Sequence, residues 1–135
     1  MKKTILSFAI LLFVFTNHLS AQDTPAYSPT SLGMVIYSND VETVWNAFRL
    51  ANHSKNQGDT VQVFLLAKGV EVDKLVDDNA DLKQQVDAFL EKGGLIQGCG
   101  TCLRSRKNNE PQVCTFSSLA DLYAIVRRNK IVLTF

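Results

Sequence analysis

The chain has 135 residues, 46% of them hydrophobic, with 14 basic and 13 acidic side chains for a net charge of +1. That balance excludes the basic footprint by which nucleic acid or an anionic membrane is held, and the length suits one domain with one core. Three cysteines cannot all pair within one chain, so a disulfide framework is not expected.

Residues 1–21 read as a signal peptide. Lys2 and Lys3 precede an apolar run from Ile5 to Phe15, broken by Ser7, and Leu19-Ser20-Ala21 ends in a small residue suited to cleavage. The run is too short for a bilayer span, which needs about 20 apolar residues, and no cysteine follows the cleavage point to carry a lipid. The expected product is periplasmic or secreted, with no stable membrane anchor after cleavage. Losing two lysines and no acid leaves 12 basic against 13 acidic residues, a net charge of −1.

Residues 22–32, with Pro25 and Pro29, predict a flexible tail. Gly33 to Ser38 is an apolar run of strand length. Asn39 with Glu42 has the spacing of a capping box, and Val41, Val44, Trp45, Phe48 and Ala51 follow at helical intervals. Trp45 and Phe48 suit a core or a subunit contact, and His53 suits the helix end that Gly58 closes. Thr60 to Ala67 is a second strand whose nearly continuous apolar character fits burial on both faces, as in a parallel sheet. Lys68 to Asn79 predicts a loop with one helical turn. Leu82, Val86, Phe89 and Leu90 mark a helix that ends at Gly93, and Gly94 to Gln97 a third short strand.

Cys99 therefore stands where a strand gives way to a loop, in the segment Gly98-Cys99-Gly100-Thr101-Cys102-Leu103-Arg104-Ser105-Arg106. Open α/β sheets place their chemistry at such ends. A helical turn from Cys102 onward, with Arg104, Arg106 and Lys107 nearby, predicts surroundings that favour a thiolate. Beyond it, Gln112 to Phe116 reads as a short strand. Ser117 or Ser118 suits the cap of a helix bearing Leu119, Leu122, Tyr123 and Val126, with Arg127 and Arg128 at its end and Asn129 as a left-handed stop. Lys130 to Phe135 closes the chain as a strand.

The alternation predicts a single three-layer α/β domain, a mostly parallel sheet of about five strands flanked by helices. Its rim gathers Ser38, Asn39, Lys68 and Cys99. A thioredoxin-type pair belongs near a first strand and helix, with a Trp ahead of it, so this late pair does not match. Cys99, Cys102, Cys114 and His53 lack the second paired motif of a zinc site. Gly98 and Gly100 have Leu103 where a dinucleotide fingerprint needs its third glycine. No metal or cofactor is expected.

Gly33 to Ser38 with its following helix, Cys99-Gly100-Thr101-Cys102-Leu103-Arg104, Ser117-Ser118-Leu119-Ala120-Asp121-Leu122 and Ile131 to Phe135 together resemble the DsrE/DsrF-like sulfur-relay family over residues 33–135. The resemblance implies a compact α/β domain, assembly into homotrimers or hexamers, and a persulfide-bearing cysteine after the third strand, the position of Cys99. It implies a thiol-based sulfur carrier or transferase with donor or acceptor proteins as partners. Cys102, by spacing, is the expected second or resolving thiol, while Arg104, Arg106 and Asn39 are the expected substrate-binding residues around it. The alternatives are a non-catalytic oligomeric binding module of the same fold, and a thiol-disulfide redox protein using Cys99 and Cys102.

Overall fold

The computed structural model describes residues 27–135, so the expected signal peptide and most of the tail lie outside the described residues. Five strands, β1 (Ser31–Ile36), β2 (Thr60–Leu65), β3 (Leu95–Cys99), β4 (Thr115–Ser117) and β5 (Ile131–Thr134), form one sheet in the order β4-β3-β2-β1-β5. Every pairing is parallel. The helices are α1 (Val41–Asn56), α2 (Val72–Asp78), α3 (Ala80–Glu91), α4 (Gly100–Ser105) and α5 (Leu119–Arg128), with a 3-10 turn over Ala67–Glu71 ahead of α2. Among the described residues no helix is long and apolar enough to cross a membrane.

Strand alternation divides the side chains between two faces. Leu32, Met34, Ile36, Val61, Val63, Leu65 and Ile96 join Phe48, Leu82, Val86, Phe89 and Leu103 in one buried cluster, so α1, α3 and α4 lie on that face. Phe48 meets Phe89 edge-on at 5.9 Å between ring centres. The opposite face carries Gly33, Val35, Gln62, Phe64 and Gln97, and α5 lies over it. A Cβ on Gly33 would fall 2.6 Å from Cγ2 of Ile125 in that helix, so glycine permits the close approach. The expected sheet is present, with all five strands parallel.

Local boundaries differ from the sequence expectations for identifiable reasons. Ser31 and Leu32, expected in the tail, belong to β1: the Ser31 hydroxyl accepts the Lys130 N–H at 2.9 Å, and Leu32 is buried. The first helix is capped by Asp40, whose carboxylate accepts the Thr43 N–H at 2.8 Å, and not by Asn39. The segment Lys68 to Asn79, expected as a loop with one turn, is helical as far as Asp78 because Val70, Val72 and Val76 are buried at helical spacing. The fourth strand starts at Thr115, later than expected, because the N–H groups of Gln112 and Val113 donate to the Asp73 carboxylate at 3.1 and 3.0 Å. Asn129 is extended, with φ −86° and ψ 141°, and its side-chain amide donates to Ile125 O at 2.8 Å, so the side chain ends α5 without a left-handed turn.

Candidate functional site

The loops leaving β3 and β4 part to opposite faces of the sheet: β3 feeds α4 on the face of the main core, and β4 feeds α5 on the other. Adjacent parallel strands whose connections diverge leave a crevice at their carboxyl ends. Cys99 is the last residue of β3, in register with Ser117 at the end of β4, and both line this crevice. The cavity has a volume of about 570 Å³ and is lined by Phe64, Leu66, Cys99, Gly100, Thr101, Arg104, Phe116, Ser117, Ser118, Leu119, Asp121 and Leu122.

Cys99 belongs to sheet and helix at once. It closes the β3 ladder and is the N-cap of α4, its Sγ accepting the Cys102 N–H at 3.4 Å. The helix thus begins at Gly100, ahead of the Cys102 start expected from sequence. The two residues are half-buried free thiols. Burial pushes the Cys102 thiol up, its hydrogen bond with the Cys99 sulfur pushes the same way, and the Ala67 backbone N–H beside it acts in the opposite direction. Ala67 takes a positive φ of 50° at the start of its 3-10 turn, a conformation uncommon outside glycine.

The three expected substrate-binding residues separate. Arg104 lines the cavity. Arg106 turns away: its Nε donates to Glu71 Oε1 at 2.7 Å and its Nη1 to Cys102 O at 3.3 Å. Asn39 meets the same carboxylate, Nδ2 donating to Glu71 Oε2 at 2.9 Å. Glu71 therefore ties the loop after β1, the turn after β2 and the end of α4 into one rim contact. Arg106, then Asn39, hold its carboxyl below the usual carboxylate range. This acid drew no attention in the sequence, where it sits in a segment of mixed charge.

Of the other rim residues, Ser38 accepts the Asp40 N–H through its hydroxyl at 3.0 Å, and Lys68 is exposed on the 3-10 turn. His53 falls in the last turn of α1, as its position near Gly58 suggests. Cys114 is buried against Gly98, where a Cβ would stand 2.6 Å from its Sγ, so the glycine before Cys99 makes room for a third sulfur. Among the described residues no group of three or more His, Cys, Asp or Glu side chains gathers as a metal site.

Comparison with known proteins reaches the architecture. No protein-family model matches the chain. The crystal structure of the ychN protein from E. coli superposes with a TM-score of 0.66 at 16% identity, over 80% of this chain and 100% of that one. A conserved protein of unknown function, BT1422 from Bacteroides thetaiotaomicron, superposes with a TM-score of 0.65 at 19% identity, over 78% of this chain and 95% of the other. The likeness is one of fold, a parallel α/β sheet flanked by helices. In sequence, the uncharacterized protein MJ0989 of Methanocaldococcus jannaschii is 29% identical over 100 residues, 70% of this chain and 88% of that protein.

Proposed function

We propose that this protein is an exported sulfur carrier or sulfurtransferase of the DsrE/DsrF-like kind, in which Cys99 accepts a sulfane sulfur as a persulfide and hands it to a partner protein. The observation that carries the reading is the placement of Cys99: a half-buried thiol at the diverging ends of β3 and β4, opening into a cavity of about 570 Å³, with a second thiol three residues on. A thiolate attacks a sulfane sulfur at a rate set by its ionised fraction, access and leaving group, and the cavity offers access. Cys102 then serves as the resolving thiol. In transfer, a partner thiolate attacks the outer sulfur of the persulfide and Cys99 leaves as a thiolate; with no partner present, the Cys102 sulfur attacks the Cys99 sulfur, hydrosulfide leaves, and a Cys99–Cys102 disulfide remains without any external oxidant.

Two expectations complete the reading. Lys2, Lys3, the apolar run Ile5–Phe15 and Ser20-Ala21 support export. The outer face of α5 supports assembly with further copies, as the family resemblance implies: Leu119, Tyr123 and Val126 are 78%, 65% and 47% exposed. Leu119 and Leu122 belong both to this face and to the wall of the Cys99 cavity, so a subunit docked there completes the site.

Incubation of the mature protein with a sulfane donor, followed by mass spectrometry of its peptides, tests the reading. The expected product is one added sulfur on Cys99, absent from Cys99→Ala; labelling of Cys114 with none on Cys99 overturns it. A second reading, thiol-disulfide exchange, is favoured by the hydrogen bond from Cys102 N–H to Cys99 Sγ, which sets the two sulfurs as neighbours on one helical turn. Equilibration with glutathione buffers distinguishes it: a stable Cys99–Cys102 disulfide with no persulfide from any donor favours redox exchange. No disulfide and no persulfide leaves a non-catalytic binding module.

A further inference from the structure

The two arginines that leave α4 have different electrostatic situations, and the difference bears on what enters the cavity. Arg106 is neutralised by Glu71 at 2.7 Å. Arg104, two residues earlier, makes no ion pair among the described residues, and it lines the Cys99 cavity. Its Nη1 lies 3.2 Å from the point where a Cβ on Gly100 would stand, with Phe116 Cδ1 at 3.2 Å and Ser117 O at 3.3 Å from that same point. The absence of a side chain at position 100 therefore leaves the guanidinium and the ring close beside the residue that follows Cys99. The one carboxylate in the cavity wall, Asp121, is held in the α5 cap, its Oδ2 accepting the Ser118 N–H at 2.7 Å and the Ser118 hydroxyl at 2.8 Å, and it forms no ion pair with Arg104. A guanidinium with no ion-pair partner among the described residues, lining the same cavity as a cysteine thiol, is a receptor for an oxyanion that carries the electrophilic sulfur.

We propose that Arg104 makes the Cys99 site selective for small anionic sulfane donors of the thiosulfate and thiosulfonate class, binding their oxyanion end while Cys99 attacks the sulfane sulfur. The proposal rests on the reading of Cys99 as a sulfur acceptor and adds the class of donor. The step is a displacement at sulfur. The Cys99 Sγ–S bond forms and the S–S bond of the donor breaks. Sulfite, or a sulfinate from a thiosulfonate, departs with the electron pair, and the new persulfide keeps the negative charge, so no oxidant or reductant is consumed. Arg104 offsets the repulsion between thiolate and donor and stabilises the charge gathering on the departing oxyanion, whose fork of oxygens matches a guanidinium. The cavity volume of about 570 Å³ lies within the range of small-molecule sites and exceeds what a thiosulfate ion fills, which leaves room for an organic thiosulfonate against Phe64 and Phe116.

The test compares persulfide formation on Cys99 from thiosulfate with alkylation of Cys99 by neutral iodoacetamide, in the wild type, Arg104→Gln and Arg104→Lys, with iodoacetate as an anionic alkylating control and circular dichroism to confirm folding. The ratio of the thiosulfate rate to the iodoacetamide rate is expected to fall about tenfold or more in R104Q, with partial recovery in R104K, which restores charge without the fork. The iodoacetate to iodoacetamide ratio is expected to fall in the same order. Loading from thiosulfate with an unchanged ratio in R104Q overturns the role of Arg104 and leaves Cys99 as a sulfur acceptor. Absence of any persulfide from thiosulfate in the wild type, with Arg104-dependent preference for iodoacetate, overturns the donor class while retaining an anion-selective thiol. A wild type that loads from protein-bound persulfides and not from thiosulfate overturns the donor class and upholds the acceptor role.

Discussion

Arg106 Nε donates to Glu71 Oε1 at 2.7 Å, joining residues 35 apart in sequence across the rim beside Cys102. Both side chains are about a quarter exposed, 28% and 27%, so this pair is better shielded than an open surface pair. A double-mutant cycle of Glu71→Gln and Arg106→Gln is expected to give a coupling on the order of 1 kcal/mol in urea unfolding. The pH dependence has a definite sign. Because the folded carboxyl titrates below its unfolded value of about 4.3, its contribution is full above that pH and is lost as pH falls through the lower folded value. The stability gap between wild type and E71Q should therefore narrow in strong acid. A gap that stays constant from neutral pH to pH 2 would show that the pair carries no charge-dependent stability.

The Cys99–Cys102 pair is expected to oxidise as a unit. Treatment with diamide should link the two and block alkylation of both, whereas the same treatment of Cys102→Ala should leave Cys99 open to a thiol reagent or to a mixed disulfide with added glutathione. Peptide mapping reads the outcome. A disulfide that includes Cys114 would contradict the burial of that residue beside Gly98.

Cys114 should behave as an inert interior sulfur. Burial, and secondarily the charge of Asp73, push its thiol up to about 12. Native protein at mild alkaline pH should leave it unalkylated while Cys99 reacts, and denaturation should expose it. An unfolded thiol ionises near 8.5, so the unfolded chain gives up this proton first as pH rises. The stabilisation is present below about pH 8.5 and declines from there towards pH 12, a decline that Cys114→Ala should reduce. Equal alkali sensitivity of wild type and variant would remove Cys114 from the account.

The exposed face of α5 gives a prediction about assembly. Tyr123 and Val126 are more than 40% exposed on the same helix, so charging them costs the monomer little burial. The double variant Tyr123→Glu, Val126→Glu is expected to stay folded by circular dichroism, to shift sedimentation from oligomer to monomer, and to lose the concentration dependence of its unfolding midpoint. If the variant sediments as the wild type does, this face is not the subunit contact.

The elements that could be read from sequence are those whose environment is uniform along the chain. Val61 to Leu66 is apolar at almost every position because a parallel strand covered on both sides has no polar face to show, and Cys99 ends the neighbouring strand β3. What could not be read depends on partners far away in sequence. The start of β4 is set by the Asp73 carboxylate, 39 residues from Gln112 and 40 from Val113. Asn39 and Asp40 are both good cap residues, and the choice fell to Asp40 because Asn39 is drawn to Glu71, 32 residues on. The candidate site divides the same way. The two cysteines announce themselves through spacing, but nothing local separates Arg104 from Arg106; only the position of Glu71 does.

Cys99 is paired in register with Ser117, one residue beyond Gly98 and Phe116, while Ile96 on the same strand points into the core. A slip of β3 by a single position would turn every side chain of the strand over, driving the Gln97 amide into the main core and taking Ile96 out of it. The hydrophobic demand at Ile96 therefore acts as an address label for the sulfur. A substitution there that leaves the fold intact but relaxes this demand is able to silence the thiol without touching it.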